Sequence, residues 1–133
     1  MRNQSYTIEQ MVQAALDERS AGNLEASQKW IQRAEDAVVP HDFEGLTALW
    51  SAMNMGLGGY EFDISQDKAR RYIIQVAESD NWKAQEIVMI QYLECTNGFQ
   101  QDIDRFKYWA ERAKVLGSKL AIKELKKFER KSK

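Results

Sequence analysis

The chain has 133 residues, of which 44% are hydrophobic and 29% charged, with a formal net charge of −1. One proline and seven glycines leave little material for sheet turns, a single cysteine excludes an intramolecular disulfide, and no apolar run approaches the ~20 residues of a membrane span. At this length a domain buries roughly two-thirds of the surface its unfolded chain exposes, so one compact domain over 1–133 is expected.

Apolar residues recur with a period near 3.6 almost throughout, which predicts an all-α fold of about seven helices. The first opens at Thr7, where Gln10 three residues later completes a capping box and Ile8, Met11, Val12, Ala15 and Leu16 form the inner stripe. Gly22 and Asn23 close it, and the second helix, carrying Leu24, Ser27, Trp30, Ile31 and Ala34, ends before Pro40 because the residue preceding a proline is pushed out of the helical region. Pro40 and His41 occupy a turn, and Asp42 is a good N-cap for a third helix from Phe43 to about Leu57. A glycine-rich loop, Met55 to Asp63, separates it from a fourth helix spanning Gln66 to Glu78. The fifth runs from Trp82 to about Glu94, the sixth from Ile103 to Leu116, and the seventh begins after Gly117 and Ser118, with Leu120, Ala121, Leu125 and Phe128 as its stripe. The third and fifth are apolar nearly all round and belong in the middle of a stack, with the amphipathic fourth and sixth on an outer layer.

A segment repeats itself about every 37 residues. Ala69, Tyr72, Ile73, Val76 and Ala77 align with Phe106, Trp109, Ala110, Ala113 and Lys114 downstream, and with Ser27, Trp30, Ile31, Ala34 and Glu35 upstream. The preceding helices match as well, Ala48, Ala52, Met53 and Gly56 against Ala84, Val88, Met89 and Tyr92. Periods of this size mark helical arrays, in which one unit cannot bury its own apolar face and stacks on the next.

The order Ala84, Val88, Met89, Tyr92, Gly98 and Asp102, with the matching glycine loop at Met55 to Asp63, resembles the Sel-one-like repeat, a relative of the tetratricopeptide repeat. The resemblance covers roughly residues 44 to 121, and residues 12 to 38 are similar to the looser tetratricopeptide form through Gly22, Asn23, Ala26 and Trp30. Met at positions 53 and 89 and Gly56 at a tyrosine position depart from the pattern. The resemblance implies a right-handed superhelical stack of antiparallel helix pairs, an α-solenoid with a looser repeat at 7–39, repeats at about 44–79 and 81–116, and a capping helix at 118–131. It also implies a scaffold that binds other proteins. Some small bacterial members of the family look like immunity proteins encoded beside a toxin.

Charge is unevenly spread. Residues 1–66 carry ten acidic and four basic side chains, a net of −6, whereas residues 117–133 carry seven basic and two acidic, a net of +5. An acidic half steers a basic partner and argues against nucleic acid there. Glu9, Asp17, Glu18, Glu25, Glu35 and Asp36 also read as solvated faces of the first two helices. Glu35, Asp36, Asp42, Glu44, Glu61 and Asp63 fall at helix ends and loops expected to meet on one edge of the stack, and Trp50 on the all-round apolar third helix, Tyr60 and Phe62 in the glycine loop and Trp82 at the start of the fifth helix are candidate aromatic anchors. Tyr60 and Phe62, placed in the glycine loop, have no helical face to dock on. The lysine-rich end reads as a solvated terminal cap or as a phosphate-binding segment.

Catalytic patterns are missing from the sequence. His41, the single histidine, shares a turn with Asp42 and Glu44, and with Cys95 it falls short of a four-ligand zinc site. Cys95 has no partner placed by sequence to lower its pKa and reads as a buried small hydrophobe. Gly56-Leu57-Gly58-Gly59 lacks the flanking pattern of a phosphate loop and reads as a turn that needs positive φ. The expectation is a cytoplasmic, non-enzymatic protein with no metal or cofactor, binding another protein, specifically a basic toxin domain, with no membrane partner. An adaptor that presents a peptide groove lined by the third and fifth helices is the alternative.

Overall fold

The computed structural model describes residues 6–94 and 101–131. Seven helices and no strand occur among the described residues: α1 (Ile8–Ser20), α2 (Leu24–Ala37), α3 (Phe43–Asn54), α4 (Phe62–Glu78), α5 (Trp82–Glu94), α6 (Ile103–Val115) and α7 (Lys119–Lys131). The all-α class is therefore as the periodicity predicts. Thr7 forms the expected capping box, its hydroxyl accepting from Gln10 N at 3.1 Å while its N–H donates to Gln10 Oε1 at 2.9 Å. Asp42 caps α3 by accepting from Gly45 N at 2.9 Å, and Asp102 caps α6 by accepting from Arg105 N at 3.0 Å.

α4 opens one turn earlier than the sequence predicts. Ser65 N donates to Glu61 O at 2.9 Å, so Phe62 and Asp63 lie in the first turn of a helix rather than in the glycine loop. α3 ends at Asn54 in a Schellman motif: Gly56, at φ 73°, donates to Met53 O at 3.1 Å, and Leu57 N donates to Ala52 O at 3.1 Å. The glycine loop thus supplies positive φ, as read from sequence.

The chain divides into two compact units, Met1–Tyr72 and Ile73–Lys133, with the division inside α4. In the first, α1 and α2 run antiparallel: Ser27 Oγ donates to Ala15 O at 2.8 Å near the connecting turn, and Tyr6 meets the Trp30 ring edge-on at 5.4 Å near the far end. α3 packs on both. Ile8, Met11, Val12 and Ala15 of α1 meet Ile31 and Ala34 of α2, Leu49, Ala52 and Met53 of α3, and Ala69 of α4 in one core. The serine device recurs 38 residues later, where Ser65 Oγ donates to Met53 O at 2.5 Å. Each buried hydroxyl, cut off from water, thereby finds an acceptor on a carbonyl of the preceding helix.

In the second unit α5 packs on α6 and α6 on α7. Val88, Met89, Phe106, Ala110, Ala113 and Ala121 are fully buried, and the Phe106 and Phe128 rings lie 5.9 Å apart. Gln85, also fully buried, donates from Nε2 to Ala77 O at 3.0 Å. The repeated stripe faces inward in all three copies: Ser27, Ile31 and Ala34; Ala69, Ile73, Val76 and Ala77; Phe106, Ala110 and Ala113. Trp109 is buried, and Trp30 and Tyr72 are half-buried. Two stripe residues depart from the prediction, since Leu24 and Leu120 are exposed.

Candidate protein-binding surfaces

The acidic candidates do not share one environment. Glu35 turns inward, its side chain 6% exposed, and accepts from Tyr72 Oη at 2.5 Å, Tyr60 Oη at 2.6 Å and Lys68 Nζ at 3.1 Å. Lys68 Nζ also sits 4.6 Å from the centre of the Tyr60 ring. A buried carboxylate is stable when its lone pairs and charge are matched in this way. Burial, and then the hydrogen bond to Glu35, push the Tyr60 hydroxyl up to about 12 and raise that of Tyr72 as well. Tyr60 therefore does dock, contrary to the expectation that a loop aromatic has no face to meet.

The other candidates of the first unit face solvent or shape its helices. Asp36 is exposed and accepts from Gln32 Nε2 at 2.9 Å. Asp42 is committed to its N-cap bond, while Glu44, in the first turn of α3, is exposed. Trp50 is half-buried against the core, and its indole N–H has no hydrogen-bond partner among the described residues. Glu61, Phe62 and Asp63 are consecutive and all exposed, Phe62 at 76%. A large apolar ring held in water between two carboxylates on the first turn of a helix has no role in the core beneath it.

Trp82, on the second unit, is 41% exposed with Lys83 Nζ 5.7 Å from its ring centre. The same unit carries a site that the sequence reading missed. An open cleft of about 430 Å³ is lined by Ile74, Glu78, Tyr92, Arg105, Tyr108, Trp109 and Arg112. Arg112 lies 4.8 Å over Trp109 and 5.6 Å over Tyr108, and donates to Tyr108 Oη, Glu78 O and Asp80 Oδ1 at 3.1–3.2 Å. Burial opposes the Arg112 charge, but the bonds to Asp80 and Tyr108 outweigh it and raise its pKa. Arg105 donates to Tyr92 Oη at 3.2 Å. Residues at i, i+3, i+4 and i+7 of α6 (Arg105, Tyr108, Trp109 and Arg112) form this wall; the spacing is visible in the sequence, but there Trp109 reads as a packing position of the repeat, and it is indeed buried.

Among the described residues no three His, Cys, Asp or Glu side chains gather as a metal-holding group. His41 is exposed and meets Phe43 edge-on at 6.3 Å, while Cys95 and Gly98 lie outside the described residues. No protein-family model, curated protein or solved structure matches the chain.

Proposed function

We propose that the chain is a non-enzymatic protein-binding module, and that its acidic first unit masks a basic partner domain in the manner of a bacterial immunity protein acting in the cytoplasm. The observation that carries this reading is Phe62, 76% exposed and flanked by exposed Glu61 and Asp63. Aromatic rings are enriched at protein interfaces, whose rim is polar, and the net −6 of residues 1–66 would steer a basic domain toward this ring. The proposal includes the Sel-one-like architecture, a single right-handed superhelical domain of antiparallel pairs, supported by the inward-facing repeat stripe and by the antiparallel pairing of α1 with α2. In the test, the tagged chain captures protein from native lysate alongside Phe62→Ala and a Glu61→Lys/Asp63→Lys variant. A single basic protein retained stoichiometrically by the wild type, released by salt and lost by both variants is the expected result.

A second reading, an adaptor that binds through the α6 cleft in place of the expected groove of the third and fifth helices, is favoured by the residues of that cleft. Tyr, Trp and Arg are the residues enriched at protein interfaces, and here they line a concave surface. On that reading Tyr108→Ala and Arg112→Ala abolish capture while the acidic reversals leave it intact.

A further inference from the structure

Between Arg112 and Lys123 the chain has no acidic residue. Within that span three large aliphatic side chains stand in water: Val115 at 83%, Leu116 at 42% and Leu120 at 36% exposure. They are held there by a fixed turn. Gly117, at φ 98°, donates to Lys114 O at 2.9 Å, and Ser118 N donates to Ala113 O at 2.9 Å, the two bonds of a Schellman motif. Buried Ser118 then caps α7 through Ala121 N at 3.0 Å and donates its hydroxyl to Glu86. The exposure is thus imposed by the join of α6 and α7, and no rearrangement of a loose loop is needed to present it.

Lys114, Lys119 and Lys123 stand beside these side chains in the sequence, all exposed and none in an ion pair with a described residue. The acids nearest in sequence are Glu111, exposed one turn before Val115, and Glu124, which pairs with Lys127 at 3.5 Å; Glu86, brought to the turn by the fold, is half-buried with its carboxylate accepting from the Ser118 hydroxyl. We propose that the α6–α7 turn docks the protein on an anionic bilayer surface, with Val115, Leu116 and Leu120 entering the headgroup boundary and Lys114, Lys119 and Lys123 meeting lipid phosphates and carboxylates. None of these residues is among those that carry the protein-binding reading.

The choice of a bilayer over other anionic partners rests on residue type. Protein interfaces favour Tyr, Trp and Arg and are depleted of lysine, and Leu and Val are under-represented among their hot spots. Single-stranded nucleic acid needs aromatic rings to stack on, and none lies between Arg112 and Lys123. A lipid surface needs neither shape complementarity nor stacking. It rewards aliphatic area together with flexible lysines whose stems lie along apolar surface while the ammonium stays at the phosphates.

The experiment is co-sedimentation of the full chain with vesicles of mixed phosphatidylserine and phosphatidylcholine, compared with phosphatidylcholine alone. Expected is binding to the anionic vesicles, weakened by salt, with little on the neutral ones. Converting Lys114, Lys119 and Lys123 to glutamate is expected to weaken binding by at least roughly a hundredfold, about fivefold for each charge lost. Val115→Ser with Leu116→Ser leaves the charge unchanged and is expected to weaken binding clearly while the circular dichroism and melting temperature stay as in the wild type. The proposal is overturned if the wild type does not sediment with anionic vesicles at low salt, which would leave the patch to an acidic protein. It is equally overturned if the serine variant binds as well as the wild type, since basic charge alone would then account for the attraction.

Discussion

Glu35 shows how far a residue's environment can differ from its sequence context. A carboxylate near the end of an amphipathic helix reads as solvated, yet Tyr60 and Tyr72, 25 and 37 residues away in the chain, donate their hydroxyls to it. Nothing local signals those partners, so the inward turn was not legible. Glu35→Ala is expected to cost about 3 kcal/mol of stability by chemical denaturation, toward the low end for breaking a buried pair because Lys68 can still reach water. Tyr72→Phe removes one bond to a charged acceptor, a loss of about 1.5–3 kcal/mol. Since both hydroxyls are held above their ordinary pKa of 10.0, the stability they contribute is fully present below about pH 10 and is lost as pH rises toward and past about 12. Denaturation midpoints followed from neutral to alkaline pH should fall in that window, and the fall should flatten in a Tyr60→Phe/Tyr72→Phe variant.

At the level of the element, helix ends separate what was legible from what was not. α1, α3 and α6 begin where Thr7, Asp42 and Asp102 place them, because each cap forms its bond within three residues. The start of α4 was misplaced because Glu61, just before Phe62, is not a preferred capping type, whereas the apolar pattern is regular from Gln66 onward. Asp42→Ala should therefore destabilise by about 1 kcal/mol whatever it does to binding. Gly45→Ala is expected to cost more than the cap alone, since an added Cβ would lie 2.9 Å from Ile8 Cβ and 2.7 Å from the Asp42 carboxyl carbon. Gly117→Ala forces a left-handed conformation on a side chain and should cost upwards of about 1 kcal/mol, seen as a lowered melting temperature. Exposure of Leu120 escaped the sequence reading because helical spacing assigns a stripe without knowing where the neighbouring helix stops covering it.

For the molecule as a whole, the repeat stripe was readable because a period near 37 residues survives substitution at single positions, and its first, third and fourth positions are buried in all three copies. The binding surfaces were less readable, since a cleft such as that of Arg105, Tyr108, Trp109 and Arg112 depends on which parts of a stripe are left uncovered. Charge separation along the chain, −6 over residues 1–66 and +5 over residues 117–133, has its consequence at this scale. Partner association should slow steeply between low and physiological salt, with dissociation changing less, in stopped-flow or surface-based kinetics.

The most direct measurement is quantitative capture from native lysate by the wild type and by Phe62→Ala combined with Glu61→Lys and Asp63→Lys, the variant first shown to melt as the wild type does. All three residues are exposed, so their substitution should leave the fold intact. Stoichiometric recovery of one basic protein by the wild type, and its loss from the variant, is the predicted result. Recovery undiminished in the variant, or no protein recovered by either, would contradict the assignment of this edge as the binding surface.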